Sequence, residues 1–266
     1  MNILAVSDPD DPRIAAYRDI RDRDLAGRDG LFVAEGKVVL DVLFSARRFA
    51  PLSVLILENR LAGMRPVLAK APQDLPVYVA PRAVMDRIAG FPMHRGVLAV
   101  AARGSGTSPD DLAAALPERA LAVVLVGIAN HDNVGSIFRN AAAFSTDAVL
   151  LDATCCDPLY RKAIRVSAGA ALKVPFARGG DAASLIRLLR QAGFAQFALS
   201  PSGTSGIAEI RRAPRTALYL GTEGDGLPAS VMGAMQTVRI PIAEGFDSLN
   251  VAAASAVALH RLYAES

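Results

Sequence analysis

Cysteine and histidine are scarce in this chain of 266 residues, with two of the first and three of the second. Cys155 and Cys156 are adjacent, a spacing that ordinary disulfide geometry disfavours, and no third thiol is present to pair with either. A reducing compartment is expected. His94, His131 and His260 fall into neither HxxxH nor CxxC spacing, so no metal site is expected. No apolar run reaches the roughly 18 residues that a membrane-spanning helix needs. The N-terminus carries Asp8, Asp10 and Asp11 close behind its first apolar stretch and lacks the regions of a signal peptide, so a cytoplasmic protein without a membrane partner is expected. Two phosphate-binding signatures are also missing: the chain's most glycine-rich loop has neither GxGxxG spacing nor a following Lys-Ser or Lys-Thr, which weakens nucleoside triphosphate and dinucleotide readings.

Apolar residues, by contrast, make up 52% of the chain, enough for a substantial core, and the length exceeds one usual domain. Two domains are expected. The net charge of +3 and the isoelectric point near 9.1 are compatible with a polyanionic partner, and equally with an ordinary enzyme surface.

Residues 1–103 alternate helical and strand signals. Polar helices are predicted around Tyr17 to Leu25 and from Gly36 to Phe44, and strands at Leu52 to Leu57, Val77 to Ala80 and Gly96 to Ala101, each short, apolar and bounded by Pro or Gly. A small three-layer α/β/α domain follows. From Arg103 the chain reads Gly-Ser-Gly-Thr-Ser-Pro-Asp, without apolar periodicity, so 104–120 is predicted as a linker. In 121–266, apolar strands at Leu121 to Val126, Ala148 to Leu151, Phe197 to Ser200, Ala217 to Leu220 and Val238 to Ile242 alternate with helices, the pattern of a mainly parallel sheet.

Three segments of the second domain carry chemistry. Asn133-Val-Gly-Ser-Ile-Phe-Arg-Asn-Ala-Ala-Ala-Phe144 follows a strand and opens a helix capped by the cluster Asn130, Asp132 and Asn133. At about 100° per residue, Ile137, Ala141 and Phe144 share a face, and Arg139 lies opposite them among Gly135, Ser136, Ala142 and Ala143. Such an arginine is either a solvated surface residue or one that small neighbours leave open to a ligand. Leu220-Gly-Thr-Glu-Gly-Asp-Gly-Leu-Pro228 runs from a strand into three glycines, which is either a plain turn or a loop whose backbone can approach a ligand closely. Ile240-Pro-Ile-Ala-Glu-Gly-Phe-Asp-Ser-Leu-Asn-Val251 leads into an alanine-rich helix for which Ser248 and Asn250 are both candidate caps. The small side chains of that helix predict close helix packing, including against a second subunit.

In order and content these segments resemble the three motifs of the SpoU branch of the SPOUT RNA methyltransferases, a resemblance that spans residues 121 to 264 and includes Asp157-Pro and Arg165-Val-Ser-Ala-Gly-Ala. More weakly, Leu31-Phe-Val-Ala-Glu-Gly-Lys37 and His94-Arg-Gly-Val97 look like the family's N-terminal substrate-binding domain, with Arg95 where many relatives carry Gln. The resemblance implies a deep trefoil knot at the C-terminus, S-adenosylmethionine as cofactor, and transfer of its methyl group to a ribose 2′-hydroxyl of structured RNA, ribosomal RNA before tRNA. A noncatalytic RNA-binding relative is the rival reading. It also implies cofactor contacts at Ser200, Gly221, Glu223, Gly224, Gly226, Ile240 and Leu249, and places Asn133, Arg139, Glu223, Ser248 and Asn250 in the catalytic set, with Glu223 and Asn133 orienting Arg139. A homodimer is implied as well. Candidates for gripping RNA phosphates are Arg28, Lys37, Arg47 and Arg48 in the first domain and Arg161, Lys162 and Arg165 in the second.

Overall fold

The computed structural model describes residues 2–18, 30–89 and 95–263. The chain divides into two compact units, Met1–Ser105 with Pro158–Lys173, and Gly106–Asp157 with Val174–Ser266.

The first unit is built on five strands, β1 (Asn2–Ala5), β2 (Leu31–Glu35), β3 (Ala50–Leu57), β4 (Pro76–Ala80) and β5 (Val97–Ala102). Their order is β1-β4-β3-β5-β2, with β1, β4 and β3 parallel and β5 antiparallel to both β3 and β2. Alternation along these strands aims Val33, Leu55, Leu57, Tyr78, Leu98 and Val100 into one core, closed by Val84, Met85 and Ile88 of the helix Arg82–Ala89. The 3-10 turn Pro12–Tyr17 adds Ile14 and Tyr17, and the Tyr17 hydroxyl, which burial would otherwise strand, meets Ser53 Oγ at 2.7 Å. The predicted helix from Tyr17 to Leu25 lies mostly outside the described residues. The helix Lys37–Ala46 buries Val39, Leu40, Leu43 and Phe44, the i, i+1, i+4, i+5 spacing of an amphipathic helix.

Pro158–Lys173 leaves the second sheet's chain path to join this first unit. Its helix Arg161–Val166 packs on β2, and Ala170–Lys173 packs on Lys37–Ala46. The small residues of Ser167-Ala-Gly-Ala170 have a packing role here. A Cβ on Gly169, which sits at φ +88°, would come within 3.1 Å of Val42 Cβ and 3.4 Å of Val39 Cα.

The second unit carries a seven-stranded sheet of order β10-β12-β9-β11-β6-β7-β8, parallel throughout. Its strands are β6 (Ala120–Leu125), β7 (Ala148–Leu151), β8 (Phe176–Arg178), β9 (Ala195–Leu199), β10 (Ser205–Gly206), β11 (Arg215–Leu220) and β12 (Gln236–Arg239). Every residue of β6 and β7 is buried, as expected for continuous apolar runs covered on both faces. The predicted strands are present within a few residues of their expected bounds. β8 and β10 were not anticipated, because three and two residues are too few to show a period. The stretch expected as a linker contains the helix Pro109–Ala114, capped by Ser108, whose Leu112 and Ala113 are buried in the core of this unit. Among the described residues no helix is long and apolar enough to cross a membrane.

Candidate active site

Because the second sheet is parallel, the loops that follow β9, β11 and β12 leave it on one side, where open α/β sheets place their ligands. There they enclose a cavity of about 240 Å³. Every position named above for cofactor contact lines it: Ser200 after β9, Gly221, Glu223, Gly224 and Gly226 after β11, and Ile240 and Leu249 after β12, with Ser248 beside them. Its apolar wall, formed by Leu199, Leu220, Leu227, Met232 and Ile242, was not anticipated, since leucines and isoleucines at strand ends read as core.

Glycine is a steric requirement at Gly221, where a Cβ would run into the backbone of Gly226 and Leu227. The loop closes on itself through Thr222 N–H to Gly226 O at 3.2 Å, with Gly226 at φ +69°. Gly203 is equally constrained by β12, since a Cβ would lie 2.6 Å from Arg239 N and 2.7 Å from Val238 O. The charged lining consists of Glu223 and Asp225; among the described residues that line the cavity there is no Lys, Arg or His. Such a rim disfavours phosphate groups and favours a ligand carrying positive charge.

Beside the cavity lies a hydrogen-bonded knot of side chains. Asn250 caps the helix Val251–Tyr263, its Oδ1 accepting from Ala252 N at 2.8 Å and from Ala253 N at 3.3 Å. Its Nδ2 donates to Asn133 Oδ1 at 3.1 Å and to Glu223 Oε1. Asn133 is buried in the first turn of the helix His131–Ala143, which Asn130 caps by accepting from Asp132 N at 2.8 Å. Asn133, Glu223 and Asn250, far apart in sequence, thus share one node. Arg139 is exposed on the same helix and makes no hydrogen bond or ion pair with a described residue. The expectation that Glu223 and Asn133 orient Arg139 therefore differs from the structure, in which both accept from Asn250. Ser248 is exposed on the loop that leads to Asn250.

The alanine-rich helix packs closely, as its small side chains predict, against Asn133 and Asn140 of His131–Ala143 and the following Phe144 within the chain. Ala252, Ser255 and Ala258 are buried, and His131–Ala143 packs against Val251–Tyr263. Large apolar residues of this unit that are exposed include Phe246 at 77%, Tyr263 at 45%, Val257 at 43%, Leu249 at 42% and Ile242 at 37%.

The cations proposed for RNA separate into two kinds. Arg161 donates from Nη1 to Glu35 Oε2 at 3.0 Å, with Arg165 Nη1 3.9 Å from the same oxygen, so both face a buried carboxylate. Lys37 and Arg47 are exposed at the two ends of the helix Lys37–Ala46, and Lys162 is half-buried. The Arg48 guanidinium stacks 5.1 Å over the Phe49 ring, and burial lowers its pKa to about 10, which leaves it charged at neutral pH. Arg28 and His94 lie outside the described residues. Arg95 is exposed, and its Cδ and Nη1 lie 3.3 Å from where a Gly36 Cβ would stand. Among the described residues no three of His, Cys, Asp or Glu gather as a metal site.

A profile of the SpoU rRNA Methylase family matches residues 120–260. The chain is similar to an uncharacterized tRNA/rRNA methyltransferase of Mycobacterium tuberculosis, 42% identical over 271 residues that cover 98% of this chain and 91% of the relative. Among solved structures, an RNA 2′-O ribose methyltransferase superposes with a TM-score of 0.78 at 25% identity, covering 98% of this chain and 99% of the other. An AdoMet-bound rRNA methyltransferase from Sinorhizobium meliloti shares the fold, with a TM-score of 0.79 at 23% identity over 97% of each chain.

Proposed function

The chain belongs to the SpoU rRNA Methylase family, and we propose that it transfers the methyl group of S-adenosylmethionine to the 2′-hydroxyl of a ribose in structured RNA. The observation that carries this reading is the adjacency of two features: Glu223 both lines the glycine-rich, acid-rimmed cavity and is bonded to Asn250 in the node beside it.

The residues present fit the cofactor. Gly221 holds a loop that no larger residue could close, so backbone groups of 221–226 stand open to a ligand. Leu199, Leu220, Leu227 and Met232 offer an apolar surface for a purine, while Glu223 and Asp225 complement a cation. When bound, S-adenosylmethionine supplies an electrophilic methyl group on a sulfonium. The chain's own task is to align the acceptor hydroxyl and ease the loss of its proton. Glu223, with one oxygen held by Asn250, can accept a hydrogen bond from that hydroxyl through the other. The Arg139 guanidinium suits the grip of a phosphate or the stabilisation of a developing alkoxide.

Ribosomal RNA is proposed ahead of tRNA on the strength of the first unit, which resembles the substrate-binding domain of ribosomal-RNA-modifying relatives. Lys37, Arg47 and Arg48 are the phosphate ligands proposed there. Exposed Phe246, Leu249, Val257 and Tyr263 support a homodimer, which light scattering at micromolar concentration tests. A cytoplasmic location is proposed from the same activity.

The deciding experiment is transfer of labelled methyl to separated ribosomal and transfer RNA that lack the modification, with Arg139→Ala as control. Label on a 2′-oxygen that disappears in the variant supports the reading. Cofactor binding without transfer to any RNA would favour a noncatalytic RNA-binding protein.

A further inference from the structure

Seven residues beyond Asn133, and so on nearly the same stripe of the helix His131–Ala143, stands Asn140. Its Nδ2 donates to Ala252 O at 2.8 Å and to Ser255 Oγ at 2.9 Å. Ser255 is fully buried, and its hydroxyl donates a hydrogen bond to Ala252 O at 2.7 Å. Both donors of the Asn140 amide are used, and both end in the first turns of the helix that Asn250 caps. The convergence on one residue is specific: Asn250 holds Ala252 by its N–H, and Asn140 holds it by its C=O.

From this geometry we infer that Asn140 is a positioning residue for methyl transfer, setting the register of the two helices that carry Arg139 and Asn250; the inference rests on the reading of the site given above. Asn133 and Asn140 form a two-point clasp. A single hydrogen bond at Asn133 would leave the register of the helix Val251–Tyr263 to apolar and aromatic packing alone. Two hydrogen-bonded contacts two turns apart define that register, and Arg139, next to Asn140 in sequence, is thereby fixed relative to Asn250 and Glu223. The other contacts in this interface, Phe144 against the rings of His260 and Tyr263 at its far end and the buried alanines and aliphatic side chains, resist separation of the helices but are less directional than hydrogen bonds. Displacement of catalytic groups by about 1 Å is enough to cost roughly 100-fold in rate.

The test compares the full-length wild type with Asn140→Ala, Asn140→Asp and Asn140→Gln in methyl transfer, alongside calorimetric binding of S-adenosylmethionine. The Ala and Asp variants should lose about 10- to 100-fold in kcat, with KM for RNA and Kd for cofactor within about twofold of wild type. The Gln variant, which keeps the donors, should recover part of the loss. Should Asn140→Ala fail to fold, Ser255→Ala removes one end of the clasp and should lower kcat by about threefold. A second readout needs no activity: the Asn250 side-chain amide signal in NMR should broaden or shift in Asn140→Asp. Equal kcat in wild type and the Asp variant, or an unmoved Asn250 signal, overturns the inference. A wild type inactive on every RNA overturns the proposed reaction, while the Asn250 signal still decides the clasp.

Discussion

Asn250 and Asn133, separated by 117 residues in the chain, are joined by a hydrogen bond of 3.1 Å from Asn250 Nδ2 to Asn133 Oδ1. The same Asn250 side chain caps a helix with its oxygen and holds Glu223 with its nitrogen. Its structural and chemical roles therefore sit on different atoms, and substitution can separate them.

Asn250→Asp keeps the capping oxygen but replaces the donor with a second carboxylate beside Glu223. It should keep the cap, since Asp caps as well as Asn, but lose about 1–3 kcal/mol for the buried Asn133 oxygen left without its donor, together with most transfer activity. Asn250→Ala should lose the cap as well, at about 1 kcal/mol, with a further penalty for the unpaired, buried Asn133 oxygen. Thermal melts paired with transfer assays check both. An active Asp variant would show that donation to Asn133 and Glu223 is dispensable.

Two glycines of one loop make a second contrast. A Cβ at Gly221 collides with the backbone of Gly226 and Leu227, whereas one at Gly224 meets nothing within 4 Å. Gly221→Ala should therefore abolish cofactor binding in calorimetry by forcing the loop open. Gly224→Ala should bind within about tenfold of wild type, losing only what its methyl takes from the ligand's own space. Equal loss in both would mean that the loop tip, and not its closure, makes the site.

The parallel sheet and the ligand loops were legible in the sequence because continuous apolar strands and clustered glycines report local physics. Ser200, Gly221 and Ile240 lie at or just past the ends of strands that are legible from composition within a few residues, so their convergence follows from a parallel sheet. The node was less legible. Asn133 and Asn250 each looked like a helix cap, which Asn250 is; that they also bond each other depends on a long-range pairing with no local signal. The pairing of Arg161 with Glu35 was likewise hidden, because a cation near a helix start reads as solvated until its acid is brought to it from 126 residues away.

Cys155 and Cys156 should behave as inert thiols. Burial, with Asp152 nearby, raises the Cys155 pKa from 9.0 to about 12, and burial, with Asp157 nearby, raises that of Cys156 to about 11. At pH 8 both remain protonated in the folded protein, so a thiol-specific disulfide reagent should react slowly at the half-buried Cys156 and, at the buried Cys155, only at the rate of unfolding. The shift also has a sign for stability. Above pH 9 the unfolded thiols lose their protons while the folded ones keep them, so the thiols' contribution, fully present below pH 9, is lost as pH rises toward 12. Denaturant midpoints measured at pH 8 and pH 10 check the direction, and rapid labelling at Cys155, located by peptide mapping of the native protein treated at pH 8, would contradict its burial.

Lys37 and Arg161 offer the sharpest separation of RNA grip from architecture. Lys37 is exposed at the start of its helix, while Arg161, with a side chain 14% exposed, faces Glu35 at 8%. Lys37→Ala should leave the melting temperature nearly unchanged and weaken binding to structured RNA, lowering the slope of log K against log salt by about one. Arg161→Ala should instead leave the Glu35 carboxylate buried without its closest cation, an imbalance that costs about 3–5 kcal/mol in comparable pairs. The double variant Glu35→Gln/Arg161→Met, which removes both charges, should recover much of that stability, because a neutral pair of similar volume carries no desolvation penalty. If Arg161→Ala proved stable and bound RNA with the reduced salt slope, the guanidinium would be a phosphate ligand after all, and its partnership with Glu35 a resting arrangement that RNA displaces.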